Sequence, residues 1–303
     1  MAPQTNPVAP SRLKKTAMAA QPGHLGVLPP PAELAPFVSG FVHRDEPVDG
    51  HAVRLLPDVR TSIQIMLGDP YWIRERGEGE AWQILPRIAL WGGRHDWGYG
   101  YAASRVTCFA FGLTPAGFRA VTGGKADAWL NRVGDLRNLA PALASAVEPR
   151  PGEAFDNWRE RIVPALEIQF SAAAPEPFDW QQIAAVLCEE SAGAVRKAAA
   201  AAGLSERQFR RVFEGMTGVT PKRYQRALRV DRMIRQLHPA PWEQDADADI
   251  PIPFADQPHA IREFRALTGL TPAQYVRLKT GGDRTLRSVG VDGLALPGDA
   301  PDR

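Results

Sequence analysis

Three arginines in the C-terminal third of the chain are spaced in a way that suits them for binding anions. Arg207, Arg210 and Arg211 fall on one face of a helix, while Phe209 and Phe213 fall on the opposite face. A guanidinium group donates two parallel hydrogen bonds to guanine O6 and N7, or clamps a phosphate. An exposed face of this kind therefore suits the major groove of a DNA duplex.

The surroundings of these arginines occur twice in the chain. The twelve residues Phe213–Tyr224 recur as Phe264–Tyr275, 51 positions later, with Phe, Thr, Gly, Thr, Pro and Tyr in register. Arg211 and Arg262, each two residues ahead of the phenylalanine, also correspond. A repeated backbone pattern with a repeated arginine indicates that one kind of surface is used twice.

Positive charge is concentrated in the same region. The net charge of the 303 residues is +2, whereas residues 195–237 carry eleven bases against three acids, a balance of +8. A local basic block in a nearly neutral chain indicates one module that binds a polyanion. A solvated basic bundle without a partner is the alternative, and the second copy of the motif disfavours it.

Start and stop signals place the arginines on the second helix of a helix-turn-helix. Val195–Ala202 has apolar residues at helical spacing and ends at Gly203, which tolerates the left-handed conformation of a C-cap. Ser205 and Gln208 form a capping box that starts the next helix, Glu206–Met216. The alanines of the first helix allow the two helices to cross closely.

A third helix follows, and it is long and basic. Gly218 closes the second helix, Thr220 caps the third, and Pro221 lies in its first turn, where a missing N–H is harmless. We expect this helix to continue to about Leu237 and to lie along the phosphates. Its candidate DNA-binding residues are Lys222, Arg223 and Arg229.

The repeated pattern resembles the AraC-type transcription regulators over roughly residues 178–279. The resemblance implies two helix-turn-helix units joined by a long helix, with both recognition helices in successive major grooves about 34 Å apart. The scaffold positions that carry the pattern are Gly203, Ser205, Phe209, Phe213, Gly218, Pro221, Phe264, Gly269 and Pro272.

The same resemblance implies which residues contact bases, because in that family the contacts come from outward positions of each recognition helix. In the first unit the candidates are Arg207, Gln208, Arg210 and Arg211. In the second unit they are Gln257, Pro258, Ile261 and Arg262. A glutamine can read adenine, whereas proline and isoleucine offer only apolar contact, for instance to a thymine methyl.

The second unit departs from the family pattern just before its recognition helix. Residues Trp242–Pro253 contain three Asp and two Pro within the part where the family has a supporting helix, and Pro253 stands at the turn glycine position. Because these residues oppose a regular helix, we expect the supporting helix to be short, shifted or missing. We therefore predict that the first unit contributes most of the DNA affinity.

The N-terminal half is strand-like, since Thr61–Leu67 and Arg105–Phe111 carry β-branched and aromatic residues between turns. We predict an α+β chain in which a strand-rich, barrel-like domain precedes an all-α DNA-binding domain. The expected segments are a disordered tail (1–28), a sensing or dimerisation domain (29–147), a helix and linker (148–177), the DNA-binding domain (178–279) and a flexible tail (280–303).

Aromatic residues are concentrated between Tyr71 and Tyr101, and one interpretation is an apolar effector pocket. Its candidate residues are Trp72, Trp91, Trp97 and Tyr99. The alternative is the ordinary packed interior of a barrel. Residues 94–96, Arg-His-Asp, are expected in a surface loop, with orientation of a polar ligand as the alternative.

Signs of chemistry are weak in this sequence. His43, His51 and His95 have no metal-binding spacing, Gly98–Ala103 fits a dinucleotide motif only formally, and Cys108 is expected to be buried and inert. We therefore predict no enzyme activity, metal or cofactor. The two cysteines, the lack of a long apolar run and the lack of a signal sequence favour the cytoplasm.

The leading prediction is a sequence-specific DNA-binding regulator controlled by an effector or by dimerisation. Its expected partners are double-stranded promoter or operator DNA, a small-molecule effector, RNA polymerase and a second copy of the chain, and no membrane. Two alternatives remain: a non-specific nucleic-acid binder, and a barrel-domain enzyme with an appended DNA-binding module. Steep salt dependence without sequence preference would favour the first, and a bound metal or cofactor the second.

Overall fold

The chain folds into a strand-rich half followed by a helical half, which confirms the predicted fold class. The computed structural model describes residues 24–48, 50, 52–76, 81–124, 126–175, 177–189, 193–237, 258–280 and 286–288. The strands are β1 (His24–Leu28), β2 (Val38–Pro47), β3 (Val53–Leu56), β4 (Thr61–Met66), β5 (Trp72–Arg74), β6 (Gln83–Ile84), β7 (Ile88–Trp91), β8 (Gly98–Tyr101), β9 (Arg105–Leu113), β10 (Val133–Asp135) and β11 (Leu286–Ser288). The helices are α1 (Pro115–Thr122), α2 (Leu136–Leu139), α3 (Pro141–Val147), α4 (Phe155–Phe170), α5 (Trp180–Cys188), α6 (Ala194–Ala201), α7 (Glu206–Thr217), α8 (Pro221–Gln236), α9 (Pro258–Thr268) and α10 (Pro272–Thr280).

The strands form two sheets in a barrel-like arrangement. One sheet has the order β1-β2-β9-β4-β7-β10 and the other β11-β3-β8-β5-β6. Neighbouring strands are antiparallel except β11, which pairs parallel with β3. The longest pairing joins β2 to β9 and connects Val38 with Leu113 at one end and Pro47 with Arg105 at the other.

Alternation along the strands of the first sheet fills two cores. In β4, Ile63 and Ile65 face the helices, whereas Met66 faces the second sheet. Helix α4 covers the helical side with buried residues spaced four apart, which places them on one stripe. These residues are Trp158, Ile162, Leu166 and Phe170.

Two predicted boundaries differ from the structure. The tail expected over 1–28 includes strand β1, and the tail expected from 280 onward includes Leu286–Ser288 as strand β11; the rest of both tails lies outside the described residues. Both strands exist through pairing, β1 with the next strand in the sequence and β11 with β3 at the other end of the chain, and local patterns do not reveal these partners.

The helical half packs as two aromatic-centred clusters on either side of α8. Around Phe213, the rings of Trp180 and Tyr224 lie 5.5 Å and 5.3 Å away. Around Phe264, Tyr275 lies edge to face at 5.8 Å. In the described part of the chain, every helix is too short or too polar to cross a membrane.

The two halves share their cores. Leu56 at the end of β3 is buried among side chains of α8, α9 and α10, and Val59 is buried in the cluster around Phe213. The backbone around Gly218, which follows α7, packs against Ala126 and Asp127 of the strand-rich half. The N-terminal half is therefore in direct contact with both predicted helix-turn-helix units.

Candidate nucleic-acid interface

Helix α7 begins and ends where the sequence predicts. The Ser205 hydroxyl accepts a hydrogen bond from the Gln208 backbone N–H at 3.3 Å, and the Gln208 side chain accepts one from the Ser205 N–H at 3.1 Å. This is the predicted capping box, which satisfies two N–H groups that the helix itself cannot pair. Gly218 ends the helix in the left-handed region, with φ +75°.

The outward face of α7 presents the predicted arginines. Arg207, Arg210 and Arg211 are exposed, whereas Phe209 and Phe213 are fully buried. Arg210 forms an ion pair with Glu206 one turn earlier. Arg207 and Arg211 form no ion pair with any residue that the structure describes. Two guanidinium groups on this face are thus available to a ligand.

The start of α8 extends the basic surface beyond α7. Its first turn is capped by Thr220, whose hydroxyl accepts from the Arg223 N–H at 3.2 Å, as the sequence predicts. Lys222 and Arg223 are exposed. They stand next to the exit of α7, where phosphates flanking a groove-bound helix are expected.

Arg229, also predicted to contact DNA, is engaged elsewhere. Its guanidinium donates to Glu263 of α9 at 2.7 Å, and Arg226 donates to the other oxygen of the same carboxylate at 2.8 Å. Only 19% of the Arg229 side chain is exposed. Arg229 therefore ties α8 to α9, and we do not propose it as a phosphate contact.

Glu263 is the functional residue that sequence reasoning missed. Its side chain is 2% exposed, and two arginines neutralise it. The signal is visible in the repeat, because Glu263 corresponds to Val212 of the first unit. An acid at a position that is apolar in the other copy, with arginines at one-turn spacing on the preceding helix, indicates a buried ion pair.

The second recognition helix has the same inner face but a less basic outer face. Phe264 and Thr268 are buried, while Pro258 and Arg262 are exposed and Ile261 is half-buried. Gln257 lies outside the described residues, as does the whole segment 238–257, so the predicted loss of the supporting helix stays a prediction.

The exit of this helix repeats the first unit. Gly269 ends α9 with φ +73°, and Pro272 begins α10. The Thr271 hydroxyl accepts from the Gln274 N–H at 3.2 Å, and the Gln274 side chain accepts from the Thr271 N–H at 2.9 Å. The two copies therefore share their turn and differ in the groups that they present outward.

The four aromatic residues predicted to line an effector pocket are divided between the two sheets, which corrects that prediction. Trp91 is buried between the sheets. Trp97 and Tyr99 meet edge to face at 5.4 Å beside the second sheet, and the Arg54 guanidinium lies 4.3 Å and 5.8 Å from their ring centres. Trp72, on β5 of the second sheet, is half-buried. Clustering along the sequence does not reveal which sheet, or which of its faces, each ring joins.

A cleft of about 340 Å³ lies instead between the first sheet, α1 and the first helix-turn-helix unit. Apolar and polar groups both line this cleft, and none of the four predicted pocket residues does. Its lining residues include Ser39, Val59, Arg60, His95, Trp180 and Tyr224.

His95 is buried rather than in the expected surface loop, and so is its neighbour Arg94. The His95 Nδ1 atom has no hydrogen-bond partner among the described residues. Burial, assisted by the positive charge of Arg223 and opposed by Asp58, lowers the pKa of His95 to about 4. The imidazole at this cleft is therefore neutral at pH 7.

The remaining candidate groups for chemistry are the Cys108 thiol and possible metal ligands. Cys108 is buried, as the sequence predicts, and burial raises the pKa of its thiol to about 11, which disfavours the reactive thiolate. No group of three or more His, Cys, Asp or Glu in the described ranges is arranged to hold a metal ion.

Comparisons with known proteins identify the C-terminal part of the chain. Residues 198–278 match the family model of a helix-turn-helix domain, which confirms the resemblance that the repeated motif indicates. Comparison with curated proteins gives no match.

Solved structures of ToxT from Vibrio cholerae show a distant likeness. ToxT of strain O395 is 8% identical, with a TM-score of 0.41 over 80% of this chain and 98% of that chain. An apo ToxT variant of strain SCE256 gives 8% and 0.41 over 78% and 96%. The unsaturated fatty acid-bound ToxT of that strain gives 7% and 0.38 over 87% and 97%. At this level of similarity, function has to be argued from the residues of the chain itself.

Proposed function

We propose that this chain, whose residues 198–278 form an AraC-type helix-turn-helix domain, is a transcription regulator that binds a specific DNA sequence. The observation that carries the proposal is the two-sided helix α7. One side is locked by buried rings, and the other presents Arg207 and Arg211 without a protein partner in the described part of the chain. Because the helix is held in a fixed position and these guanidinium groups are free, they favour specific contacts with bases over non-specific contacts with phosphates.

The second unit supports a bipartite DNA site. Helix α9 exposes Arg262 at the position that corresponds to Arg211 in the repeat, with Pro258 and Ile261 as apolar neighbours. Two recognition helices on one side of a duplex read half-sites about one helical turn apart, roughly 34 Å. Dimerisation and a contact with RNA polymerase remain predictions from the family resemblance.

Selection from a pool of random duplexes tests the proposal. Repeated rounds with the full chain at physiological salt should enrich two short motifs at a fixed spacing near 10 base pairs. The Arg207→Ala/Arg211→Ala double variant, checked for folding by circular dichroism, should fail to enrich the first motif. A pool that stays random while binding weakens steeply with salt would support the non-specific alternative.

We also propose that the effector site is the cleft between the first sheet and the first helix-turn-helix unit. A ligand there would touch both halves, through Val59 on one side and Trp180 and Tyr224 on the other. Arg60 at this cleft is already paired with Asp58 at 2.6 Å, and the imidazole of His95 is neutral. An uncharged molecule therefore suits the cleft better than an anion does.

A matched pair of probes tests this site. We expect 2-naphthol to raise the melting temperature of the chain, and the anion 2-naphthoate, which carries the same ring system, to leave it unchanged. Ser39 is exposed at the cleft, so Ser39→Phe should fill space without unfolding the chain and should abolish the shift. No shift with 2-naphthol, or an equal shift in Ser39→Phe, would contradict this placement.

A further inference from the structure

We propose that Arg54 and Arg60 of the strand-rich half are positioning residues for DNA recognition, which act by holding the second recognition helix in place. The inference rests on the proposed function. We call these two arginines the clamp. Arg54 lies in β3 and Arg60 lies just before β4, so one short stretch of the chain carries both.

Arg54 holds the C-terminal end of α9. Its Nη1 donates to the backbone carbonyl of Thr268, the last residue of that helix, at 3.1 Å. A cation at this end also faces the negative pole of the helix dipole. The guanidinium is fixed from behind by Trp97, 4.3 Å from the ring centre. A Cβ atom at Gly269 would collide with both Arg54 and Trp97, so this contact requires glycine.

The backbone beside Arg54 adds two further contacts. Leu56, two residues on, is 1% exposed and packs in the cluster around Phe264. Strand β11, which follows α10, pairs parallel with β3 and places Leu286 opposite Arg54. The second unit is thus joined to the strand-rich half by a hydrogen bond, an apolar contact and a strand pairing.

Arg60 holds the long helix α8 that connects the two units. Its Nε and Nη2 donate to the Asp58 carboxylate at 2.6 Å and 2.9 Å, and Nη2 lies 3.6 Å from Asp231 of α8. All three side chains are less than 10% exposed. Buried charges need their partners, since removal of one leaves the others uncompensated.

The clamp complements the ion pairs within the helical half. Glu263 fixes α9 to α8 through Arg226 and Arg229, and Arg54 fixes the end of α9 to the sheet. The sequence predicts a poor supporting helix ahead of α9, in the segment Trp242–Pro253. The orientation of α9 relative to α7 therefore depends on the strand-rich half, which makes Arg54 a determinant of how the second half-site is read.

Footprinting on the selected DNA tests the clamp. We expect Arg54→Ala to lose protection of the half-site read by α9, to keep that of α7, and to bind about tenfold more weakly. Adding Arg262→Ala to Arg54→Ala should cause little further loss, because both act through α9. Wild-type protection in Arg54→Ala, or losses that multiply in the double variant, would overturn the proposal.

Two further variants show whether the effect is specific to the clamp: Arg74→Ala is the control for general destabilisation, and Asp231→Asn tests the contact of Arg60 with α8. Arg74 lies on β5 and stacks on Trp82 and Tyr99, at 5.0 Å and 4.8 Å, so Arg74→Ala disturbs the same stack and should leave the footprint unchanged. Asp231→Asn removes the α8 partner of Arg60 and should weaken the α9 half-site in the same direction as Arg54→Ala. An Arg74→Ala footprint that matches that of Arg54→Ala would reduce the clamp to a structural role.

Hydrogen exchange on the free chain separates the two proposals. Amides of residues 258–268 should exchange faster in Arg54→Ala than in wild type, and those of residues 206–217 should not change. Unchanged exchange in α9 contradicts the clamp whatever the DNA result. Failure of the wild-type chain to protect any specific site contradicts the proposed function instead.

Discussion

The guanidinium groups of the helical half divide into those that fold the protein and those that face outward. Arg226 and Arg229 are committed to the buried Glu263, whereas Arg207 and Arg211 on α7 and Arg262 on α9 are exposed. Sequence alone predicts the face of a helix, but it does not reveal an acid from another helix that reaches the same arginine. For this reason the exposure of Arg211 agrees with the sequence prediction, whereas Arg229, also predicted to contact DNA, is paired with Glu263.

The first prediction at this scale compares the two corresponding arginines. Arg211→Ala should weaken DNA binding by about ten- to a hundredfold, since a bidentate base contact is worth roughly 1–3 kcal/mol. Arg262→Ala should cost less, because α9 presents a single arginine among its candidate contacts. Fluorescence anisotropy with the selected duplex measures both, with Arg137→Ala on the strand-rich half as control. An equal or larger loss of affinity from Arg262→Ala would contradict the prediction that the first unit contributes most of the DNA affinity.

The second prediction concerns pH and His95. Its folded pKa of about 4 lies below the unfolded value of 6.5, so the unfolded chain takes up the proton first as the pH falls. The stability that depends on neutral His95 is complete above pH 6.5 and is lost as the pH falls towards 4. We expect a loss on the order of 2 kcal/mol at pH 5 relative to pH 7, with Arg223 adding to it and Asp58 opposing it.

Urea unfolding at the two pH values measures this loss in wild type and in His95→Gln. The glutamine cannot titrate in this range, so the variant should lose less stability between pH 7 and pH 5 than wild type does. Equal losses in the two proteins would show that His95 is protonated or exposed in the folded chain, contrary to its burial.

At the scale of elements, the turns after the helices are not equivalent. Gly203 follows α6 and Gly218 follows α7, and both have positive φ, +66° and +75°. Among the residues that the structure describes, an added Cβ at Gly203 meets no atom within 4 Å, but at Gly218 it lies 2.7 Å from backbone atoms of Asp127. One glycine serves only the turn, and the other serves the turn and the contact between the two halves.

The third prediction follows from this difference. Gly203→Ala should destabilise the chain by about 1 kcal/mol, the usual cost of a left-handed alanine. Gly218→Ala should cost several times as much, because the α7 end must also move away from the short 3-10 helix Asp127–Trp129. Urea unfolding of both variants provides the measurement. Similar losses for the two would contradict the close contact at Gly218.

Elements specified by nearby residues were predictable, and elements specified by distant partners were not. Helix α7 has its capping box and its C-cap glycine within the helix and its flanks, so the sequence located it to within one residue at either end. Strand β11 exists through pairing with β3, which lies more than two hundred residues earlier in the chain. The contact between Arg54 and Thr268 has the same long-range origin.

At the scale of the whole molecule, the charged residues of the helical half have two roles: some form the basic surface, and others form ion pairs that join the parts of the protein. The segment 195–237 carries a balance of +8 within a chain of net charge +2, and this basic surface of the first unit is the one that we propose faces DNA. Within that segment, Asp231 turns inward to Arg60 of the strand-rich half, and Arg226 and Arg229 turn inward to Glu263. The same region therefore supplies both the DNA-facing charge and the ion pairs that join the parts of the molecule.

The last prediction is that the two halves unfold as one cooperative unit. Leu56 and Val59 belong to the strand-rich half by sequence, yet they are buried in the two clusters of the helical half. Neither cluster can open without exposing apolar surface of β3 and the segment that follows it.

Ile162→Ala in α4 and Leu228→Ala in α8 each remove a fully buried side chain, at a cost of about 2–5 kcal/mol. Scanning calorimetry should show one transition in wild type, shifted to lower temperature in both variants. Two transitions, with Ile162→Ala moving one and Leu228→Ala the other, would mean that the halves fold independently and that the shared clusters couple them too weakly for the clamp to position α9.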